Sequence, residues 1–356
     1  MHSSTTEPHE TRSRHARQAA QLSIALAQNC AESAKHQLSI PAIYHQLQWL
    51  DQQFPNFNKI LSDSIVDETL KEISNLSGAK LISLPEITYI IPIHNCDPNL
   101  IAHTIQSLSK QVAVQVSAIF ILDGKNPADT AALTACLAPN NLSINTRVIQ
   151  LEHNQGVAAA RNIGMEKITT EFFSWLDAND VIHPLRSLHG ILRLTNTQAI
   201  RINTSYSRVI LKTGKLVLRN HRFGHTGHTS FIARTEILEM YGYLVNLKAH
   251  EDTEYQERLE YFNANMCSTT VIAHYLDLNP GSTSHLSHDT WESLEIIENH
   301  SYLGATYCGK PTPARLRLNE IYRDLYHKVL NQALTQAFPA QFTSTGLAGV
   351  QSQHGP

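Results

Sequence analysis

Between residues 85 and 176, apolar runs and polar closures alternate along the chain. Residues 87–93 (ITYIIPI), 114–122 and 172–176 are largely apolar, β-branched or aromatic, 144–151 (INTRVIQL) is a more mixed strand run, and polar residues close each. Runs of this length and composition predict strands buried on both faces of a parallel sheet. Between them, Leu100, Ile101, Ile105 and Leu108 recur at helical spacing, and 127–137 predicts a second helix. Strand and helix alternating at this spacing predict βαβ units with right-handed crossovers, and hence an α/β, Rossmann-like, mostly parallel sheet.

The flanks carry a different pattern. Residues 1–18 are polar and predict a disordered tail. In 19–84, Leu22, Leu26, Ile43, Leu47, Leu50, Ile65 and Ile73 recur at loosely helical spacing, and Pro41 and Pro55 divide the stretch into short helices. After Pro184 the pattern predicts a helix at 188–194 and short strands at 199–202, 207–211 and 215–218, the last two joined at Thr213-Gly214. A loop follows at 223–230, then a short helix at 236–241. Another helix opens at Glu251-Asp252, and 271–276 is expected to be the last strand. Residues 289–340, with Leu316, Ile321, Leu325 and Val329, predict a helical extension, and 341–356 a loose tail. The expected division is 1–18, 19–84, a catalytic-type domain at 85–288, 289–340 and 341–356.

Composition narrows the function classes. The 356 residues are 42% hydrophobic and 17% charged, with a net charge of −3. That is a globular composition with ample core, and it argues against a nucleic-acid binder working through a basic surface. The 20 histidines are scattered along the chain, and the five cysteines form no CxxC pair. Reduced thiols, no run of about 18 apolar residues and no secretory signal predict a soluble, cytoplasmic protein without a transmembrane segment.

The most pointed stretch is Glu171 to Pro184, an apolar strand running into Asp177-Ala178-Asn179-Asp180. Ligands of open α/β sheets bind beyond the carboxyl ends of the strands. Asp177, Asn179 and Asp180 offer hard oxygen ligands for Mg²⁺ or Mn²⁺ arriving with a phosphorylated substrate. The same residues also suit an Asx-rich turn that caps the next helix. His225 and His228 lack a third nearby ligand and do not read as a metal pair.

With the Asp177 to Asp180 knot, five pieces occur in order. They are Pro92-Ile93-His94-Asn95, Asp123 after the second strand, the element from Asn154 through Gly156 and Arg161 to Gly164, the knot from Asp177 to Pro184, and Glu251-Asp252 with Arg258. In this order and spacing the chain resembles the inverting GT-A glycosyltransferases of family 2 over about 87–284. The resemblance implies a GT-A type nucleotide-diphospho-sugar transferase fold with helical N- and C-terminal extensions. It also implies transfer of a hexosyl or N-acetylhexosaminyl group from a nucleotide-diphosphate sugar, a UDP-sugar first, to a hydroxyl.

It further implies roles. Asp123 would accept from the imide N–H of the base, Arg161 would lie beside the base or diphosphate, and His94 would stack where the family often has Tyr. Pro92, Asn95, Asn154, Gly156, Asp177 and Ala178 would complete the donor site. Asp177, Asn179 and Asp180, with His285, would hold Mg²⁺ or Mn²⁺. Asp252 would be the general base, with Glu251 orienting it or touching the donor sugar. His225 and His228 would border the acceptor cleft. The chain departs from the family pattern at Asn179, where Asp is usual, and at Gly124, where a second Asp often follows Asp123. Acceptors range over saccharide ends, lipid-linked saccharides and proteins, as in cell-envelope or polysaccharide biosynthesis, with room for peripheral membrane association and a homodimer. Asn179 keeps open a non-catalytic nucleotide-sugar-binding or scaffolding subunit. A nucleotidyltransferase would want a Gly-rich, basic phosphate loop after the first strand, and residues 94–99 offer none.

Overall fold

The computed structural model describes residues 9–29, 38–54, 63–76, 83–138, 142–219, 222–247, 251–278, 291–295 and 303–311. Three helices come first: α1 (His9–Asn29), α2 (Ile40–Gln53) and α3 (Asp63–Ser74). The βαβ region follows as β1 (Glu86–Ile93), α4 (Pro98–Ser109), β2 (Gln115–Leu122), α5 (Pro127–Leu137), β3 (Ile144–Gln150), α6 (Val157–Met165) and β4 (Phe172–Trp175). β1 pairs in parallel with β2 (Ile90↔Ile119) and with β4 (Ile90↔Trp175), and β2 with β3. The expected mostly parallel α/β core is present. α4 and α5 begin alike, each with an Asx side chain (Asp97, Asn126) accepting a backbone N–H and a proline in the first turn.

Around β1, β2 and β4 the sheet is covered on both faces, while β3 at its edge is largely exposed. Ile87, Ile91, Ile93 and Phe120 pack with Ile101, Ile105 and Leu108 of α4, while Ile90, Ile119 and Ile121 face Ala158 and Ala160 of α6. Gly164 lets α6 lie close, because a Cβ there would stand 2.5 Å from Ile90 Cγ2.

The chain continues as β5 (Val181–Ile182), α7 (Arg186–Thr197), β6 (Arg201–Ile210), β7 (Lys215–Arg219), β8 (Gly224–Arg234), α8 (Ile237–Tyr241), α9 (Glu251–Tyr261), β9 (Met266–Asp277), β10 (Trp291–Glu295) and β11 (Leu303–Pro311). The described strands make one sheet in the order β10-β11-β7-β6-β8-β4-β1-β2-β3, with β9 joining β5 and β6. β8 is antiparallel to β4 (Phe172↔Arg234), so the direction changes beside the strand that carries the acidic knot.

Several expectations are corrected. α1 begins at His9, inside the tail expected to be loose to residue 18. Residues 223–230, expected as a loop, lie largely within β8, whose pairing with β6 supplies the hydrogen bonds its small polar residues do not advertise. The two short runs at 199–211 are one ten-residue strand with a register shift between Asn203 and Ser205. β9 is not the last strand, since β10 and β11 follow inside the stretch expected to be helical. Residues 312–340 lie outside the described residues.

The N-terminal helices are built into the fold. Leu22, Leu26, Ile43, Leu47, Ile65, Val66 and Ile73 pack with Leu185, Leu188 and Leu192 around α7 and with Val271 and Ala273 of β9. Glu72 on α3 accepts from Arg193 (2.7 Å) and Asn196 (2.7 Å), clamping α3 to α7.

Burial depresses two histidines here, His183 to about 3 and His189 to about 4. His183 Nδ1 accepts from Leu185 N at 3.1 Å, a bond that protonation at Nδ1 would abolish. A histidine whose folded pKa lies below its unfolded value near 6.5 excludes a proton that the unfolded chain binds. Its share of stability is present above about pH 6.5 and is lost as pH falls toward 4. The urea midpoint is therefore expected to fall over that window. His183→Asn, whose Oδ1 can take the same N–H, should flatten the fall, and an unchanged slope would refute this account.

Candidate functional site

The site forms where β1, β2 and β4 end and α6 and α9 begin, as ligand sites of open α/β sheets do beyond the carboxyl ends of their strands. Asp123, at the end of β2, is buried, and its two oxygens accept from Gln155 N (2.7 Å) and Gly156 N (3.0 Å). The expected reader of the base is thus an anchor for the 154–156 loop, and a base N–H would have to share oxygens already in use. Gly156 (φ +89) caps α6 just beyond this anchor.

His94 ties the same loop down. Gly156 N donates to Asn154 Oδ1 (2.9 Å), which fixes that amide, so Asn154 Nδ2 donates to His94 Nε2 (2.9 Å). His94 Nδ1 must then carry the proton that reaches Asp123 O (2.9 Å). Asn95 Nδ2 meets the same Nε2 at 3.1 Å. Pro92 is half-buried in β1, beyond Ile90 where the pairing with β4 ends, so its missing N–H breaks no bond to that strand.

Beside this network lies an open pocket of about 540 Å³, lined by His94, Asn95, Gly124, Lys125, Asn126, Glu152, His153 and Asn154. That size suits a nucleoside. Gly124 is where the family often has Asp, and the structure supplies the reason. Its φ is +97°, and a Cβ would stand 2.9 Å from Asn154 N. Gly124→Ala is expected to cost about 1–3 kcal/mol and to displace the 153–156 loop. A denaturant midpoint equal to the parent's would refute this.

Arg161 organises the other half. Its guanidinium is buried, donating from Nη2 to Asp177 Oδ1 (2.8 Å) and from Nη1 to Glu251 Oε1 (2.6 Å), with Cζ 4.9 Å from the centre of the Trp175 ring. Burial opposes its charge, but Asp177 and Glu251 outweigh it and hold the guanidinium above its ordinary value. Burial pushes Glu251 up, and Asp252 and Asp177 add to this against the pull of Arg161. The expectation that Arg161 lies beside the base or diphosphate gives way to a buried crosslink that joins two acidic motifs. Asp252, half-buried in the first turn of α9, accepts from Thr253 N (2.8 Å) and Thr253 Oγ1 (3.5 Å), both on Oδ1. His228 on β8 is half-buried, and burial lowers it.

The acidic knot is only partly a cation site. Asp177 keeps 45% of its side chain exposed, and Asn179 is half-exposed. Asp180 faces inward, its Oδ2 3.0 Å from His274 Nε2 and its Oδ1 accepting from Asp277 N (3.0 Å). Burial raises Asp180 and lowers His274, so their contact is a hydrogen bond within a buried chain that continues to Ser230 and Thr204. The register Ile182↔His274 sets this direction, and Asp180 is a tie to β9 rather than the expected ligand. Ala178 is buried, and its carbonyl accepts from Thr104 Oγ1 (2.9 Å), which also donates to Asp180 O (2.8 Å). His285, the fourth expected ligand, lies outside the described residues. Among the described residues, no group of three or more His, Cys, Asp or Glu side chains is placed to hold a metal ion. Of the three expected ligands among the described residues, Asp177 keeps a carboxylate oxygen free of protein partners, Asn179 offers an uncharged amide oxygen, and Asp180 is turned inward.

Some residues went unnoticed in the sequence. Asp129 accepts from Asn95 N (2.8 Å) and Cys96 N (3.1 Å) and so shapes the turn after β1. Its only signal was an acid in a helix's first turn. Asn126 Nδ2 donates to Asn95 Oδ1 (2.8 Å) across the pocket mouth. The described cysteines, Cys96, Cys136 and Cys267, are free thiols. Among the described residues, no helix is long and apolar enough to cross a membrane.

The family model for glycosyl transferase family 2 matches residues 88–232. A teichoic acid poly(glycerol phosphate) polymerase of Staphylococcus epidermidis is 25% identical over 115 residues, 32% of this chain and 16% of that protein. An uncharacterized glycosyltransferase of Rickettsia prowazekii is 26% identical over 136 residues, 37% of this chain and 40% of its own length. The chain thus spans less than half of either relative. Among solved structures, S. aureus TarS 1–349 in complex with UDP-GlcNAc shares 18% identity at a TM-score of 0.44, over 57% of this chain and 62% of that one. A mannosyltransferase from Pyrobaculum calidifontis in complex with GDP-Man and Mn²⁺ shares 11% at 0.43, over 67% and 69%. The acids at 251 and 252 lie beyond the matched stretch, and Arg161 is what brings them to it. The match to glycosyl transferase family 2 covers residues 88–232, less than half of the chain.

Proposed function

We propose that this site transfers a sugar from a nucleotide-diphosphate sugar, a UDP-sugar first among candidates, to a hydroxyl acceptor with inversion at the anomeric carbon. The observation that carries the proposal is Arg161. By holding Asp177 and Glu251 together, it sets Asp252 beside the end of β4, with the nucleoside-sized pocket close by at the ends of β1 and β2.

The nucleoside enters the pocket bounded by His94, Asn95 and Asn154, whose side chains offer polar groups to base and ribose. The sugar lies over Asp177, toward α9. Asp252 removes the acceptor's proton as its oxygen attacks the anomeric carbon from the face opposite the diphosphate. One bond forms and one breaks, and the configuration inverts. Glu251, locked to Arg161, contacts the donor sugar or fixes the first turn of α9 so that Asp252 is aimed. His228 borders the acceptor side. The acceptor belongs to the hydroxyl-bearing saccharides, free, lipid-linked or on protein, of envelope or polysaccharide assembly.

A second reading, a domain that binds nucleotide sugar without turning it over, is favoured by one observation. Asn179 stands where a ligating carboxylate would. A panel of UDP-, GDP- and CDP-sugars, followed by nucleotide release with mixed saccharide acceptors, separates the two. The catalytic reading expects release above the uncatalysed rate for one nucleotide class, abolished in Asp252→Asn. Tight nucleotide binding with no release under any condition would establish the second.

A further inference from the structure

The knot after β4 was expected to spread the load of a divalent cation over Asp177, Asn179 and Asp180. The structure withdraws one of the three, Asp180, and the sequence removes the charge of another, Asn179. Asp180 is buried, with Oδ1 held by Asp277 N and Oδ2 facing His274 Nε2, each at 3.0 Å. Its carbonyl and that of Ala178 share the single proton of Thr104 Oγ1, at 2.8 and 2.9 Å, which ties the loop backbone to α4. Asn179 supplies an amide oxygen and no charge. What faces the site is one carboxylate, Asp177, whose Oδ1 is already bound by Arg161 Nη2 at 2.8 Å.

The asparagine also acts in a second direction. A carboxylate at 179 would repel an incoming diphosphate, and a cation would be needed to offset that repulsion as well as to join ligand and protein. With an amide there, the ligand is weaker and the demand for the cation is smaller. Both effects point the same way.

We propose that this chain binds its donor without dependence on a divalent cation, and that Asn179 is the residue that makes it so. The inference rests on the nucleotide-sugar reading above, because it concerns how that ligand is held. It makes Asn179 a determinant of how the donor is bound.

The test uses the full chain, UDP and GDP as probes, and calorimetry in EDTA or in Mn²⁺. The parent is expected to bind one of the two with a Kd that changes by less than about threefold between these conditions. Asn179→Asp should bind it at least tenfold more tightly with Mn²⁺ than without. Mn²⁺ alone, followed by its electron paramagnetic resonance signal, should bind Asn179→Asp and leave the parent's signal that of the free ion. Asn179 is half-exposed, so the variant is expected to fold. Tenfold tightening of nucleotide by Mn²⁺ in the parent would overturn this proposal alone and leave the nucleotide-sugar reading standing. An Asn179→Asp variant as indifferent to Mn²⁺ as the parent would overturn it too. Binding of no nucleoside diphosphate under any condition would remove the nucleotide-sugar reading, and this proposal with it.

Discussion

Asp252→Asn is expected to lower the rate of sugar transfer by about 10²–10⁴-fold, the usual worth of a positioned general base, while nucleotide affinity stays within about threefold. The geometry gives the reason for this split. Asp252 stands in the first turn of α9, half-buried, and the bonds it accepts from Thr253 fall on Oδ1. Asparagine can keep that bond through its own Oδ1, so the turn should hold its shape. What disappears is the capacity to take a proton. The donor pocket, formed at the ends of β1 and β2, does not include this side chain. Parallel losses in rate and in nucleotide affinity would show that Asp252 binds donor rather than acting as base.

The largest effect on stability is expected from Arg161→Met, about 3–5 kcal/mol. That is a large share of the 5–15 kcal/mol that usually separates folded from unfolded states. The two carboxylates on Arg161 differ in what they lose. Asp177 is 45% exposed and can turn to water, whereas Glu251 is 8% exposed and cannot. The cost therefore falls on Glu251. Burial already pushes its carboxyl upward, and without Arg161 only like charges would remain near it. A carboxyl whose folded pKa is raised above its unfolded value costs stability as pH rises through the folded pKa, and costs less below it. The variant's deficit should therefore shrink on acidification. Adding Glu251→Gln to Arg161→Met should recover much of the loss, because the pair act on one another and not separately. Urea midpoints of the two single variants and the double variant that simply add would refute the crosslink.

The parallel core was legible because β1, β2 and β4 are largely apolar runs closed by polar residues, and because α4 and α5 start with Asx-Pro. β8 was not legible. Gly224, His225, Thr226, Gly227 and His228 have a loop's composition, and only pairing with β6 makes them a strand. β10 and β11 were hidden for a related reason, since helical spacing farther along was extended over residues that pair instead with each other and with β7.

The site was legible as a set and not as a set of directions. Resemblance to the family's ordered motifs grouped Asp123, Asn154, Gly156, Arg161, Asp177, Glu251 and Asp252 as one neighbourhood. Which way each side chain points depends on partners far along the chain. Asp180 turns inward because β9 brings His274 and the amide of Asp277 to it. Asp123 turns to its own loop because Gly124 allows Asn154 to approach. Pattern at short range carries no record of such partners.

The packing of α1–α3 against α7 and β9 also bears on how the domain can be isolated. Cutting the chain to the matched residues, 88–232, would remove β9 and all three helices, and with them the cover over Leu185, Leu188 and Leu192. A contiguous apolar patch laid open in this way is an aggregation surface. The smallest soluble form of this domain therefore extends well upstream of the residues that carry its chemistry, and begins with α1.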